Sequence, residues 1–191
     1  MSTRLSLLYR IRKRGAGLEK GCKFKRVLER AEKIKLLDPN LLACTDHMEL
    51  LEQLVQSGAW VDFTQGLDAR LLTEQNIQEL NRVKLTEIHF AWDYMQESDA
   101  VLRGLHLYAK LANRRPHGKF GTVYCLTNYD TTMQENLYRI YTLRDMGYDP
   151  YVMIYDKPNA PHEVRLLQRW CNNRKIFRTQ PDFERYDPKR K

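Results

Sequence analysis

The sequence predicts an α/β fold: a partial (βα) barrel of about five to six parallel strands with helices outside. Three observations lead there. Strand-like runs begin near Lys33, Trp60, Glu87, Gly121, Tyr151 and Lys175, at spacings of 27, 27, 34, 30 and 24 residues. Helical stretches separate them, and such alternation calls for right-handed crossovers and a parallel sheet. The third observation is polarity inside the strands. Asp62 and Thr64 share one face of their run, as do Glu87, His89, Ala91 and Asp93 of the next. A doubly wound sheet, the alternative, is covered on both faces and its strands should be almost continuously apolar. Burying those groups unpaired would cost roughly 2–7 kcal/mol each, whereas an open barrel lumen leaves them beside water or a polar ligand.

Residues 1–32 read as a basic arm, with Phe24, Val27, Leu28 and Ala31 at helical spacing within 18–32. Residues 33–187 form the barrel and 188–191 a basic tail. After the Lys33 run, Leu50, Leu51, Leu54 and Val55 make an apolar helical stripe that stops at Gly58. Trp60–Thr73 begins as a strand, with Val61 and Phe63 alternating against Asp62 and Thr64. It then delivers Gln65, Asp68 and Arg70 around Gly66. Thr73 and Glu74 open the next helix, which carries Ile77 and Leu80. Ser98–Ala112 is helical through Leu102, Leu105 and Ala109. Thr132 and Glu135 have capping-box spacing, and that helix ends at Gly147 before Pro150. Val164, Leu167 and Cys171 line the last helix.

Composition narrows the class. The 191 residues are 42% hydrophobic and 29% charged, enough for a buried core. No apolar run approaches the roughly 20 residues of a membrane span, and the N-terminus lacks a secretory apolar region. Cys22, Cys44, Cys125 and Cys171 lie too far apart for a metal clip. A reducing cytoplasm is the expected compartment. The net charge of +8 is unevenly spread: residues 1–35 carry +9, 36–173 carry −5 and 174–191 carry +4. Basic ends on an acidic body are compatible with weak nucleic-acid contact through the termini.

The strand runs finish at Leu37-Asp38, Thr64-Gln65, Trp92-Asp93, Thr127-Asn128 and Tyr155-Asp156. Each brings a carboxylate or carboxamide to the C-terminal rim, where parallel sheets bind ligands. Asn128 or Asp130 has an ordinary alternative as the opening of the helix at Thr132; Asp38 and Asp93 lie too far from the next helix for that role. The five histidines never pair at helical metal spacing, and Cys125 and Cys171 read as inert core thiols.

Several strings resemble a group of radical S-adenosylmethionine (radical SAM) proteins of anaerobic bacteria and their phages. They are Leu36–Ala43, Val61–Leu72, Ile88–Asp93, Tyr148–Asp156 and Leu167–Arg178, within residues 33–187. The resemblance implies a six-unit partial βα barrel, a [4Fe-4S] cluster on a Cys-x3-Cys-x2-Cys loop after the first strand, and cleavage of S-adenosylmethionine. It implies that Asp38 and Asn40 meet the methionyl amino group, that Gln65, Asp68 and Arg70 face the ligand, and that Arg70 forks onto its carboxylate. Asp93 would meet a ribose hydroxyl, Asn128 would stand on the same rim, and Tyr155 and Asp156 would flank the adenine, with Trp92 as another stacking surface. The cysteine loop is the departure: only Cys22 precedes Lys33, and one thiolate cannot hold a cubane. The expectation is a truncated or degenerate member with no first strand and an open sheet edge beside Lys33. The alternatives are a binding module for nucleic acid or protein that uses the basic termini, and a different small-molecule enzyme using the carboxylate rim with a metal.

Overall fold

The structure is a computed structural model and describes residues 6–9, 31–37, 40–113 and 120–188. Its sheet has six strands, all parallel and in sequential order: β1 (Ser6–Tyr9), β2 (Lys33–Leu36), β3 (Trp60–Leu67), β4 (Lys84–Ala91), β5 (Thr122–Thr127) and β6 (Asp149–Ile154). The order never reverses, so the doubly wound arrangement is excluded for this sheet. The helices are α1 (His47–Ser57), α2 (Glu74–Arg82), α3 (Ser98–Leu111), α4 (Met133–Asp145), α5 (His162–Asn172) and α6 (Arg174–Thr179).

Two expectations are corrected. Ser6–Tyr9 pairs in register with Lys33–Leu36, so a strand lies where an arm and an open edge were expected. The Lys175 run is helix α6, because the Asn173 side chain accepts from the Lys175 and Ile176 N–H groups and Phe177 turns into the core. The helix expected over residues 18–32 lies almost wholly outside the described residues.

One face of the sheet is dry. Ile34 and Leu36, Val61 and Phe63, Ile88 and Phe90, and Val123 and Cys125 are buried in one core with Leu51, Leu54, Ile77, Leu80 and Leu105 of the helices. A second cluster joins Val152 to Ile140, Leu167 and Trp170, whose indole N–H donates to Gln180 O at 2.7 Å. On the other face Lys35, Tyr151 and Met153 are exposed, and Asp62, Thr64, Glu87, His89 and Tyr124 are half-buried. Right-handed crossovers between sequential strands put the described helices on one side, which explains the asymmetry.

The caps follow the local sequence. Thr132 Oγ1 accepts from Glu135 N–H at 3.2 Å while Glu135 Oε2 accepts from Thr132 N–H at 2.7 Å. Thr73 forms the same box, with Asn76 rather than an acidic residue as its partner. Thr132→Ala is expected to cost about 1 kcal/mol, or a fall of roughly 2–4 °C in Tm. An unchanged Tm would show that α4 does not depend on this cap.

Free β6 backbone is covered from α5. Val152 N–H donates to Asn172 Oδ1 at 2.8 Å, and Val152 O accepts from Gln168 Nε2 and Asn172 Nδ2, both at 3.0 Å. Two side-chain amides thus stand where a further strand would pair, one of the ways proteins close a sheet edge.

Candidate functional site

The rim site is made by a break in β3. Phe63 pairs with Ile88 and Leu67 with Phe90, so Thr64, Gln65 and Gly66 oppose His89 alone. Gly66 takes φ of 88°, a conformation glycine adopts without strain. Its α-carbon also lies close under the β4 backbone; an added Cβ would sit 3.5 Å from His89 O. The bulge lets the strand leave the ladder and present Gln65 and Asp68 at the sheet's end.

A cavity of about 220 Å³ opens there, lined among others by Asn40, Gln65, Asp68, Arg70, Asp93 and Glu97. Five of the nine residues expected at the rim therefore meet in one place. Asp38 lies outside the described residues. Asn128, Tyr155 and Asp156 belong to a neighbouring cluster: Asn128 Nδ2 donates to Tyr155 O at 3.0 Å, and Asn159 Nδ2 donates to Asp156 Oδ2 at 2.9 Å. Asn128 and Asp156 have φ of 61° and 48°, so both strand ends turn through left-handed residues. A row of exposed rings joins the two clusters, Tyr94 to Tyr129 at 6.4 Å and Tyr129 to Tyr155 at 4.8 Å between centroids.

Arg70 is engaged by its own chain. Its Nε and Nη2 donate to the two oxygens of Asp68 at 2.8 and 2.7 Å, and Nη1 donates to Glu97 Oε1. The Arg70 bond holds the Asp68 carboxyl below its ordinary pKa, and the same pairing raises that of Arg70. The guanidinium fork expected for a ligand carboxylate is thus spent on Asp68. Asn40 Oδ1 accepts from Asp68 N–H at 3.4 Å and steadies the turn from the β2 side.

Asp93 is half-buried, and desolvation raises its pKa against the pull of a bond from Leu126 N–H at 3.2 Å. That bond gives Asp93 a structural task beside any ligand role. Trp92 is fully buried and donates to Ser98 Oγ at 3.3 Å, so it cannot stack on a ligand. Tyr94, the next residue, is exposed and lines the cavity. With Asp68, Asp93 and Glu97 against Arg70, the lining has more carboxyl groups than cations. Such a lining suits a ligand that carries an ammonium, a sulfonium or several hydroxyls.

Sequence reading missed Glu97, Tyr94 and Arg139. The alternation of Trp92, Asp93 and Tyr94 past the strand end was a usable signal for Tyr94. Glu97 meets Arg70 across 27 residues and Arg139 reaches Trp92 across 47, contacts that no local pattern encodes.

Elsewhere on the bare face, Asp62 lies 3.7 Å from Lys35 Nζ and 3.9 Å from His89 Nδ1, and the His89 ring stacks on Tyr124 at 5.0 Å. Cys125 and Cys171 are buried, and desolvation raises both thiols, Cys125 to about 12. No three His, Cys, Asp or Glu side chains converge as a metal site among the described residues. No described helix is long and apolar enough to cross a membrane. No family model, curated protein or solved structure matches this chain.

Proposed function

We propose that this chain is a partial βα barrel, similar in plan to radical SAM proteins, that binds S-adenosylmethionine or a close aminoacyl-nucleoside relative at its rim. The observation that carries the reading is the meeting of Asn40, Gln65, Asp68, Arg70 and Asp93, from three consecutive strand ends, around one cavity. The sequential parallel order and the bare polar face support the barrel half of the proposal.

A cavity of about 220 Å³ is smaller than sites for drug-sized ligands, which run about 300–1,000 Å³. It suits the amino-acid end, with the nucleoside lying over Tyr94, Tyr129 and Tyr155. Ammonium and sulfonium then face Asp68 and Glu97, and the tyrosines offer stacking area to the base. Arg70 acts as a positioning residue, holding the two carboxylates at fixed separation.

The cysteines do not fit a [4Fe-4S] cluster within one chain. Cys44 is half-buried, Cys125 is sealed inside β5 and Cys171 inside α5. Cys22, outside the described residues, would supply a single thiolate where a cubane needs several. Anaerobic reconstitution of the chain alone with iron and sulfide is expected to leave no stable cluster absorbance.

Calorimetry tests the ligand. S-adenosylmethionine should bind more tightly than S-adenosylhomocysteine, which lacks the sulfonium charge. Glu97→Gln should weaken the former by roughly ten- to a hundredfold, the worth of one charged hydrogen bond. Arg144→Ala should change nothing, because Arg144 reaches Pro181 O on the C-terminal segment instead. No binding of either compound at millimolar concentration, or equal losses from Glu97→Gln and Arg144→Ala, would end the proposal.

A further inference from the structure

A second concavity lies away from the rim, along the edge of β6. It is a broad groove of about 810 Å³ between Tyr151 and helices α5 and α6, and the charged side chains lining it are all cations. Lys157 comes from the turn after β6, Arg165 and Arg169 from successive turns of α5, and Arg174 and Lys175 from α6. Arg174 pairs with Asp149 at 3.9 Å. The other four make no ion pair among the described residues. Arg165 and Arg169 are steadied without being neutralised, by Pro158 O at 2.8 Å and Pro188 O at 3.5 Å. Five like charges around one groove repel one another, and a polyanion relieves that repulsion.

Three features narrow the partner. A peptide strand cannot add to β6 at Val152, whose N–H and C=O are both taken by Asn172 and Gln168. The lining residues are tyrosine, amides and cations, with no aliphatic side chain to seat an amphipathic helix. Tyr151 is 42% exposed in the groove wall and meets Tyr124 edge to face at 5.7 Å, which holds its ring upright on the sheet. A supported, exposed tyrosine beside a row of arginines and lysines is the combination that stacks an unpaired base while cations follow the backbone.

We propose that this groove binds single-stranded nucleic acid, with Lys157, Arg165, Arg169, Arg174 and Lys175 on the phosphates and Tyr151 under one base. The site is formed by folded residues of the β6 edge, α5 and α6, and does not depend on the ligand reading of the rim.

Fluorescence anisotropy with a labelled single-stranded oligonucleotide and the full chain tests it. The pair R165E/R169E is compared with R103E/K110E, the same charge change on exposed positions of α3. The groove pair should weaken binding at least about tenfold and flatten the slope of log K against log salt by about 1.4, two contacts at roughly 0.7 each. The α3 pair should stay within about twofold of the parent, since it removes only long-range charge. Tyr151→Ala should cost about five- to a hundredfold, the worth of one stacked base, and Tyr151→Phe should retain binding. Circular dichroism of each variant verifies that it is folded. Equal losses from the two charge pairs would overturn the proposal, as would an unchanged Tyr151→Ala. So would a duplex that binds as tightly as the single strand, or anionic vesicles whose binding R165E/R169E abolishes while the oligonucleotide still binds.

Discussion

Gly104→Ala is expected to destabilise the protein by about 3 kcal/mol or more, although helix propensity alone argues for a gain of about 1 kcal/mol. Gly104 lies in the middle of α3, where a Cβ would overlap Ala69 O and come within 2.7 Å of Ala69 C. Both contacts are backbone, so no side chain can turn aside to make room. Ala69 opens the short 3-10 turn Ala69–Leu71, capped by Asp68, whose side chain accepts from Arg70 N–H. A methyl group at position 104 must therefore lift that turn, together with Asp68 and Arg70. Thermal unfolding should show a fall in Tm of roughly 6–12 °C, and any ligand binding at the rim should fall with it. The two effects have opposite signs, which makes the result decisive. A variant as stable as the parent, or more stable, would mean that α3 and the turn are not in contact as described.

Arg139→Met should cost about 2–4 kcal/mol while leaving the core volume nearly unchanged. Arg139 has no exposed surface, and its guanidinium ties strand ends together. Nη1 donates to Trp92 O and Asp93 O at 2.5 and 3.0 Å, and Nη2 donates to Leu126 O and Asn136 Oδ1 at 2.7 and 2.6 Å. Leu126 N–H in turn donates to Asp93, so β4 and β5 are cross-linked at their C-terminal ends through one arginine and one aspartate. Burial lowers the Arg139 pKa, because the charge is held away from water, and Nε has no partner. Methionine would relieve this desolvation but strand the carbonyl oxygens, and their unmet demand is the larger quantity. Arg139→Lys should also lose stability, because an ammonium cannot span the same acceptors as a fork. Denaturant unfolding measures both; a midpoint equal to the parent's for Arg139→Met would show that the carbonyls find other donors.

These two residues explain how the rim keeps its shape. Gly104 lets a helix close onto the turn that carries Asp68 and Arg70, and Arg139 holds the turn that carries Asp93. Neither lines the cavity. Both act through the backbone that aims the residues that do.

The sequence by itself determined the alternation of strands and helices, the caps at Thr73 and Thr132, and the polar character of the bare face. Each depends on residues within a turn or two of one another, where periodicity and capping chemistry act directly. The strand ends also nominated the rim, and Asn40, Gln65, Asp68, Arg70 and Asp93 do converge there. What those residues do at the rim was decided by tertiary contacts. Arg70 found Asp68 and Glu97, and Trp92 turned into the core. The Lys175 run became a helix because Asn173 capped it and Phe177 had a core to enter. Ser6–Tyr9 became a strand by pairing with β2, whose N–H and C=O groups offered it partners 27 residues along the chain. Pairings of this kind are chosen by which surfaces meet when the crossovers close, and local pattern holds no record of that choice.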